Sequence, residues 1–230
     1  MPSLARRQFL VRTVAASSLG AVAIAAPRTL FAQAASASPR DRQILEIARR
    51  EVERAGNVLW RRDIAGIADF GVHSANKRFH FANLDNGTVR SFFVTHGSGS
   101  DPEHDGWLND YSNVDGSLMT SRGAYVSWEW YKGRFGTSIR LAGLDPSNSN
   151  AFPRAIVMHP ADYATQAHVD RWGKLGRSNG CFAMGPDDFR EALWHLSGGR
   201  LLYADTLGIG ADGSGVTPGT GLIASPPGAS

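Results

Sequence analysis

Between residues 41 and 55, apolar side chains recur every three or four positions, with arginine and glutamate on the opposite face. This spacing places the apolar side chains along one stripe of a helix. The stripe consists of Ile44, Leu45, Ala48, Val52 and Ala55. The pattern predicts a helix over residues 41–55 that packs against the rest of the protein and ends at Gly56-Asn57.

After residue 64 the pattern changes to short runs rich in phenylalanine and valine. Two of these runs, at residues 77–83 and 88–95, are separated by a segment that contains Asn86-Gly87. Asn-Gly favours a tight turn whose central residues have positive φ, which is a strong hairpin signal. We therefore predict a β-hairpin over residues 77–95.

The later part of the chain continues with short apolar runs. The predicted strands span residues 123–133, 135–144, 154–159 and 200–204. Residues 186–196 are a predicted helix, because a proline and two acids open it and its apolar residues share one face. Residues 161–175 are a predicted loop with a helical turn. The aromatic residues Trp128, Trp130 and Tyr131 are expected to pack in the core or across strands.

The composition agrees with a β-rich protein that has many loops. The chain has 26 glycines and six tryptophans, and its hydrophobic content of 42% is ordinary for a globular protein. We divide the chain into a leader at residues 1–34, an N-terminal helix and lead-in at 35–75, a main domain at 76–205 and a tail at 206–230. The tail is rich in glycine, serine and proline, so we expect it to be loosely packed.

The first 34 residues have the features of an export signal. Arg6 and Arg7 precede an apolar run at residues 14–26, and residues 32–34 offer an Ala-Gln-Ala cleavage site. The Arg-Arg-x-Phe-Leu motif resembles the twin-arginine type. The apolar run contains glycine and serine and is shorter than the ~20 residues that span a bilayer. We predict a periplasmic or secreted protein without a membrane span after cleavage.

Charge and cysteine content narrow the possible partners. The formal net charge is +3, and four arginines without an acid lie in the first 30 residues. Because much of the positive charge belongs to the leader, we do not infer nucleic-acid binding. The single cysteine, Cys181, excludes an internal disulfide, and we expect a monomer.

The stretch from His159 to Cys181 carries the candidate chemistry. Cys181 follows a polar Ser-Asn-Gly turn at residues 178–180, which is expected to present the sulfur rather than bury it. A cysteine attacks a carbonyl as the thiolate, and a nearby histidine or cation favours that form. His159 ends a predicted strand, and Arg177 lies at the mouth of the turn. We predict that Cys181 is a nucleophile and that His159 is its base.

The glycine before the cysteine is relevant to the same chemistry. Gly180 lets the backbone adopt a tight conformation beside the sulfur. The N–H groups of Gly180 and Cys181 are candidate donors of an oxyanion hole. Two alternatives stay open on the residues alone: Cys181 is a small buried hydrophobe, or His168 replaces His159 as the base.

The loop at residues 96–104 is rich in glycine and serine and contains His96, Asp101 and His104. It is a surface loop, the wall of a substrate cleft with His96 facing the substrate, or part of a zinc site. Together with the distant His159, these side chains are suitable zinc ligands, which leaves a zinc peptidase as an alternative.

These residues resemble the L,D-transpeptidases of bacterial cell-wall synthesis, which have a YkuD-type catalytic domain. That family carries a histidine followed by a small residue, a loop of variable length and then Ser/Thr-His-Gly-Cys. His159-Pro160 resembles the first part and residues 178–181 the second, with Asn179 in place of the histidine. The sequence also contains, in order, segments like those of one branch of the family: THGSGSD, YSN, S-x-x-TSRGAY, SIRLAGLDPSN and RAIVMHPADY. The resemblance covers residues 76–205.

The resemblance implies a YkuD-like β-sandwich or barrel with a few short helices. It also implies a cysteine acyl-transferase that acts on peptidoglycan stem peptides without a metal or organic cofactor. Cys181 then forms a thioester with the third residue of a stem and releases D-alanine. An amine resolves the thioester, or water does so in an L,D-carboxypeptidase. His159 keeps the role of the base.

Four further residues are expected to contact the substrate or line its cleft. Arg177 and Ser178 are predicted to hold the donor stem, because arginine suits bidentate binding of a carboxylate. Ser121 and Arg122 belong to a polar turn that is predicted to line the cleft.

Other functional assignments compete with the interpretation as a transpeptidase. A sortase-like transferase has a different cysteine motif, and papain-like cell-wall hydrolases place the cysteine before the histidine. A non-catalytic cell-wall-binding protein of the same fold is the third rival, and Asn179 in place of histidine is the feature that favours it.

Overall fold

The computed structural model describes residues 37–217, so the predicted export signal lies outside the described residues. Within this range the protein is mostly β, with one eight-stranded sheet curled into a half barrel and three α-helices. The predicted mainly β fold class is therefore confirmed. None of the helices between residues 37 and 217 is both long and apolar enough to cross a bilayer.

One helix opens the described chain, six strands follow it, and two helices lie among the last strands. The helices are α1 (Pro39–Ala55), α2 (Gln166–Trp172) and α3 (Pro186–His195). The strands are β1 (Ile64–Asp69), β2 (Phe79–Asn83), β3 (Thr88–Phe92), β4 (Gly123–Gly133), β5 (Gly136–Gly143), β6 (Val157–Pro160), β7 (Phe182–Met184) and β8 (Leu201–Asp205). Their order in the sheet is β3-β2-β1-β8-β4-β5-β6-β7.

Both faces of the centre of the sheet are covered, which explains why β1 is buried along its whole length. Successive side chains of a strand point to opposite faces. Ala65 and Ile67 contact α1 on one face, whereas Ile64 and Ala68 join α3 in a larger core on the other. The lead-in before residue 76 is thus packed into the same structure as the strands that follow it.

The first helix begins and ends as its sequence indicates. The Ser38 side chain accepts a hydrogen bond from the Asp41 N–H, and Pro39 occupies the first turn. The predicted helix at residues 41–55 is confirmed as α1. The predicted hairpin is confirmed as β2 and β3, which pair antiparallel from Phe79–Phe92 to Asn83–Thr88. The predicted tight turn at Asn86-Gly87 was wrong, because the connection spans residues 84–87 and Gly87 has a positive φ but Asn86 does not.

The hairpin of β4 and β5 extends beyond the covered part of the sheet. Its register shifts between Ser127 and Trp130, which is the signature of a β-bulge. Trp128 is 46% exposed and Trp130 is 59% exposed. Neither tryptophan therefore lies in the core, and that part of the prediction was wrong. Trp128 packs edge-on against Trp60, with ring centroids 5.9 Å apart, and Trp130 lies opposite Ile139 in the hairpin. Tyr131 does pack across the hairpin, under the Arg140 guanidinium.

Two connecting segments are more ordered than the sequence suggested. The predicted loop at residues 161–175 contains the two-turn helix α2, which Thr165 caps by accepting from the His168 N–H. The tail was expected to pack loosely, but the buried Asp69 carboxylate accepts the N–H groups of Leu207, Gly208 and Ile209. Residues 207–209 are therefore anchored to the end of β1, and residues 218–230 lie outside the described part of the chain.

Candidate active site

Two parallel strands bring His159 and Cys181 to one face of the sheet. In the pairing of β6 with β7, His159 lies opposite Ala183, and Cys181 comes immediately before β7. Since residues two apart point to the same face, the imidazole and the sulfur lie on the same side as Ala183. The alternate residues Met158, Phe182 and Met184 point the other way, into the large core.

The sulfur of Cys181 is close to the chain that leads into β6. Its Sγ lies 3.7 Å from the carbonyl oxygen of Ala155, and the residue is 8% exposed. Burial raises the pKa of the thiol, while the Val157 N–H and the positive charge of Arg154 act in the opposite direction. The expectation that the turn presents the sulfur was therefore wrong: Cys181 is buried, with the Ala155 carbonyl as a polar neighbour of its Sγ.

His159 is held in one orientation from two sides. Its Nδ1 lies 3.0 Å from the Pro160 carbonyl oxygen, and because a carbonyl only accepts, Nδ1 carries the proton. Nε2 is then the basic nitrogen. The Phe135 ring stacks on the imidazole, with ring centroids 4.2 Å apart and an interplanar angle of 17°. Burial lowers the pKa of His159, whereas the hydrogen bond to Pro160 raises it.

The turn before the cysteine is fixed by its own serine. Ser178 Oγ donates to the Cys181 carbonyl at 2.6 Å and accepts from the Gly180 N–H at 3.1 Å. Gly180 has a φ of +108°, which favours glycine, and an added Cβ at this residue lies 2.7 Å from the Met119 carbonyl oxygen. Because the Gly180 N–H is already bonded within the turn, the two-donor oxyanion hole expected from the sequence is reduced to one candidate donor, the Cys181 N–H.

Arg154 is the residue of this site that the sequence reasoning missed. Its guanidinium binds the segment at residues 112–121, which we call the covering loop. The four acceptors are the Ser112 carbonyl, Ser121 Oγ, Ser117 Oγ and the Met119 carbonyl, at 2.6–3.3 Å. The covering loop in turn contacts Gly180 through Met119. The available signal was a charged residue at the start of the apolar run predicted as a strand from residue 154, although β6 itself begins at Val157.

His96 lies in a buried network below the turn. Its Nδ1 is 2.8 Å from an Arg78 guanidinium nitrogen and its Nε2 is 3.0 Å from Asp101 Oδ2. Because the guanidinium only donates, Nδ1 is unprotonated and Nε2–H donates to Asp101. Burial, followed by the charge of Arg78, lowers the pKa of His96 to about 4. The His96 carbonyl accepts the Ser178 N–H, so the network supports the nucleophile turn from beneath.

The predicted zinc alternative is not supported by these contacts. Both ring nitrogens of His96 are engaged, and His104 Nε2 lies 3.1 Å from the Leu175 carbonyl oxygen. In the described range no three histidine, cysteine or acidic side chains are arranged to hold a metal ion.

The remaining predicted site residues are distributed around this centre. Ser121 is fully buried and held by Arg154, and Arg122 forms an ion pair with Asp205. Arg177 donates to the carbonyl groups of Asp101 and Pro102, and Asn179 is exposed. The turn at residues 178–181 thus leads into β7, which pairs with the strand that carries His159, whereas Arg177 reaches the loop at residues 96–104. Ser121 and His96 are enclosed in the walls of the site and do not face a cleft, because their polar atoms are satisfied by protein.

Comparison with known families agrees with this arrangement. A sequence model of the L,D-transpeptidase catalytic domain, of the YkuD type, matches residues 38–204. The chain belongs to this family. The resemblance drawn from the His159–Cys181 stretch is thereby confirmed, and the match also includes the lead-in with α1 and β1.

Solved structures, among them two L,D-transpeptidases, show a distant likeness. The enzyme from Mycobacterium smegmatis is 15% identical, with a TM-score of 0.39 over 62% of this chain and 58% of that chain. The L,D-transpeptidase from Mycobacterium tuberculosis H37Rv is 13% identical, with a TM-score of 0.40 over 62% and 57%. The cell shape determining protein Pgp2 from Campylobacter jejuni is 14% identical, with a TM-score of 0.39 over 73% and 56%. The chain thus spans less than two thirds of each of these proteins, and the comparison with curated proteins gave no match.

Proposed function

We propose that this member of the family is an exported cysteine acyl-transferase that acts on peptidoglycan stem peptides. The observation that carries the proposal is the placement of Cys181 and His159 on one sheet face, with the imidazole Nδ1 tied to the Pro160 carbonyl. This leaves Nε2 as the base on the side of the sheet that carries the sulfur. The family match supports a peptidoglycan substrate and a location outside the cytoplasm, and the leader sequence supports twin-arginine export.

The pKa shifts indicate how the nucleophile forms. Burial raises the pKa of Cys181 and lowers the pKa of His159, so both groups are favoured in their neutral forms before substrate binds. The thiolate is then generated during attack, when the Cys181 proton passes to His159 Nε2. The positive charge of Arg154 and the Val157 N–H stabilise the sulfur as it becomes negative.

The acyl transfer has two steps. Cys181 Sγ bonds to the carbonyl carbon of the third stem residue, the bond to the D-alanine nitrogen breaks, and His159 gives its proton to that nitrogen. The Cys181 N–H is the candidate donor to the oxyanion of the intermediate. In the second step an amine of another stem, or water, attacks the thioester carbon and gives a proton to His159. The bond from that carbon to Sγ breaks, and Cys181 leaves as the thiolate and takes the proton back from His159. Arg177 is proposed to bind the donor carboxylate after release from the carbonyl groups of Asp101 and Pro102.

The proposal is tested by incubating residues 35–230 with purified tetrapeptide muropeptides and identifying the products by mass. We expect release of D-alanine together with crosslinked stems or trimmed tripeptides. Cys181→Ala is expected to abolish both products and the thioester adduct with a carbapenem, and His159→Ala to abolish turnover. His168→Ala serves as the matched control and should turn over normally.

The competing assignments give different results in the same assay. Binding of muropeptides without any D-alanine release indicates the non-catalytic cell-wall-binding protein. Loss of turnover in His168→Ala but not in His159→Ala indicates that His168, on α2, is the base.

A further inference from the structure

Phe135 lies in the two-residue connection between β4 and β5, at the tip of the long hairpin. Its ring is parallel to the His159 imidazole to within 17°, at a centroid distance of 4.2 Å. Phe135 is 46% exposed, whereas His159 is 1% exposed. The phenyl ring therefore covers the imidazole while remaining half exposed itself, and the Arg134 guanidinium lies over it at 5.8 Å from its centroid.

The stacking adds a restraint that the Pro160 hydrogen bond does not provide. A hydrogen bond in the ring plane fixes the direction of Nδ1 but leaves the imidazole free to tilt about that bond. An aromatic ring in face contact opposes this tilt, and it also excludes water from that face. Together the two contacts fix the direction of Nε2 relative to β7.

Among the described residues, no charged group contributes to the lowered pKa of His159, which results from burial against the Pro160 hydrogen bond. On the other elements of the site, the titratable and charged groups are the thiol of Cys181, the phenol of Tyr163 and the guanidinium of Arg154 near the sulfur. The Arg134 guanidinium lies 5.8 Å from the centroid of the Phe135 ring. For His159 itself burial is the first cause of its lowered pKa, so the groups that cover the ring decide its protonation.

We propose that Phe135 is a positioning residue for the general base, which holds the His159 ring in place and keeps it dry. The inference rests on the proposed role of His159 and adds a residue from a different part of the sheet. The hairpin tip thereby becomes part of the site, although it lies 24 residues before His159 in the chain.

The experiment measures the protonation of His159 directly, by NMR titration of the ring carbon-bound protons in the full mature chain. The His159 signal is assigned by its absence in His159→Gln. In Phe135→Ala the midpoint of the His159 titration is expected to move to higher pH, toward the ordinary histidine value, because water then reaches and stabilises the protonated ring. Phe135→Leu should move the midpoint in the same direction, since leucine keeps apolar volume but has no flat face to stack on the imidazole. Phe135→Tyr keeps an aromatic ring and should therefore have the midpoint of the original protein.

The pH profile of turnover provides the second readout. Because the base must be neutral, kcat/KM of Phe135→Ala should fall at a higher pH on the acidic limb than that of the original protein, and Phe135→Tyr should restore the limb. Trp194→Ala removes an exposed aromatic side chain from α3 and should change neither readout.

The outcomes separate this inference from the proposed function. An unchanged His159 midpoint in both Phe135→Ala and Phe135→Leu, with folded proteins and normal acyl transfer, overturns the role of Phe135 alone. If the original protein transfers no acyl group while the midpoint still moves, the proposed function fails and the covering effect of Phe135 stands.

Discussion

At the scale of single residues, the site depends on side chains whose environment opposes charge. The nearly complete burial of His159 and Cys181 favours the neutral form of both, which is the starting state that the proposed general-base mechanism requires. The residue that provides positive charge is Arg154, and its guanidinium is held by the covering loop rather than by an acid. It therefore keeps a net positive charge beside the sulfur.

We predict that Arg154→Ala raises the pKa of Cys181 and lowers the free energy of unfolding by about 1–3 kcal/mol, since acceptors of the covering loop lose a charged donor. Arg154→Lys keeps the positive charge but loses the planar guanidinium. Its Cys181 pKa should therefore be closer to that of the original protein than its free energy of unfolding is. The rate of alkylation of Cys181 by iodoacetamide as a function of pH measures the first effect, and urea unfolding measures the second.

Arg90→Ala is the matched control, because Arg90 is exposed on β3 and pairs with Glu191. If Arg154→Ala and Arg90→Ala show the same alkylation profile, the electrostatic role of Arg154 is wrong.

At the scale of elements, the site is assembled where β6 and β7 run in parallel and the covering loop closes over the turn before β7. The sequence predicted the strand with His159 and the polar turn, but not β7 itself. A strand of three residues, Phe182–Met184, is too short for its alternation of side chains to be recognised in the sequence. They form a strand only because β6 offers its free edge and the large core accepts Phe182 and Met184.

We predict that Gly180→Ala disrupts this junction. Alanine at a φ of +108° is strained, and its Cβ meets the Met119 carbonyl oxygen at 2.7 Å. The expected cost is about 1–3 kcal/mol of unfolding free energy, together with loss of acyl transfer as the turn shifts. Thermal unfolding and the muropeptide assay measure the two effects.

Gly116→Ala separates backbone strain from the collision. Gly116 also has a positive φ, of +75°, but no atom lies within 4 Å of an added Cβ. This variant should keep its activity and lose less stability. Equal losses in the two variants would show that packing against Met119 is not important.

At the scale of the whole molecule, burial of titratable groups makes the fold sensitive to acid. His80 and His96 are both almost fully buried. Burial, followed by the nearby Arg40, lowers the pKa of His80 to about 3, and burial with Arg78 lowers that of His96 to about 4. The unfolded chain therefore binds protons below about pH 6.5 that the folded protein does not.

We predict that the free energy of unfolding is nearly constant between pH 8 and pH 7 and declines as the pH falls from about 6.5 to about 4. The shift at His96 alone corresponds to about 3 kcal/mol over this range. Urea unfolding at a series of pH values measures the decline. His80→Gln should make it shallower, and a flat profile down to pH 4.5 would contradict the prediction.

The sequence by itself determined the local elements and indicated candidate chemistry in one stretch. Helical spacing gave α1, Asn-Gly gave the β2–β3 hairpin, and the polar turn before the only cysteine indicated a nucleophile with His159 upstream. These are properties of neighbouring residues, so pattern and turn chemistry suffice to predict them. Family resemblance added the fold class, which the structure confirmed.

Only the tertiary structure decided which distant side chains surround that stretch. Phe135 reaches His159 across a hairpin, Arg154 joins the covering loop to the sulfur, and His96 supports the turn through its backbone and not through a cleft. These contacts depend on strand order, register and a β-bulge, which are set by the closing of the whole sheet around its core. No spacing along the chain encodes them, because the interacting residues come from strands that become neighbours only on folding.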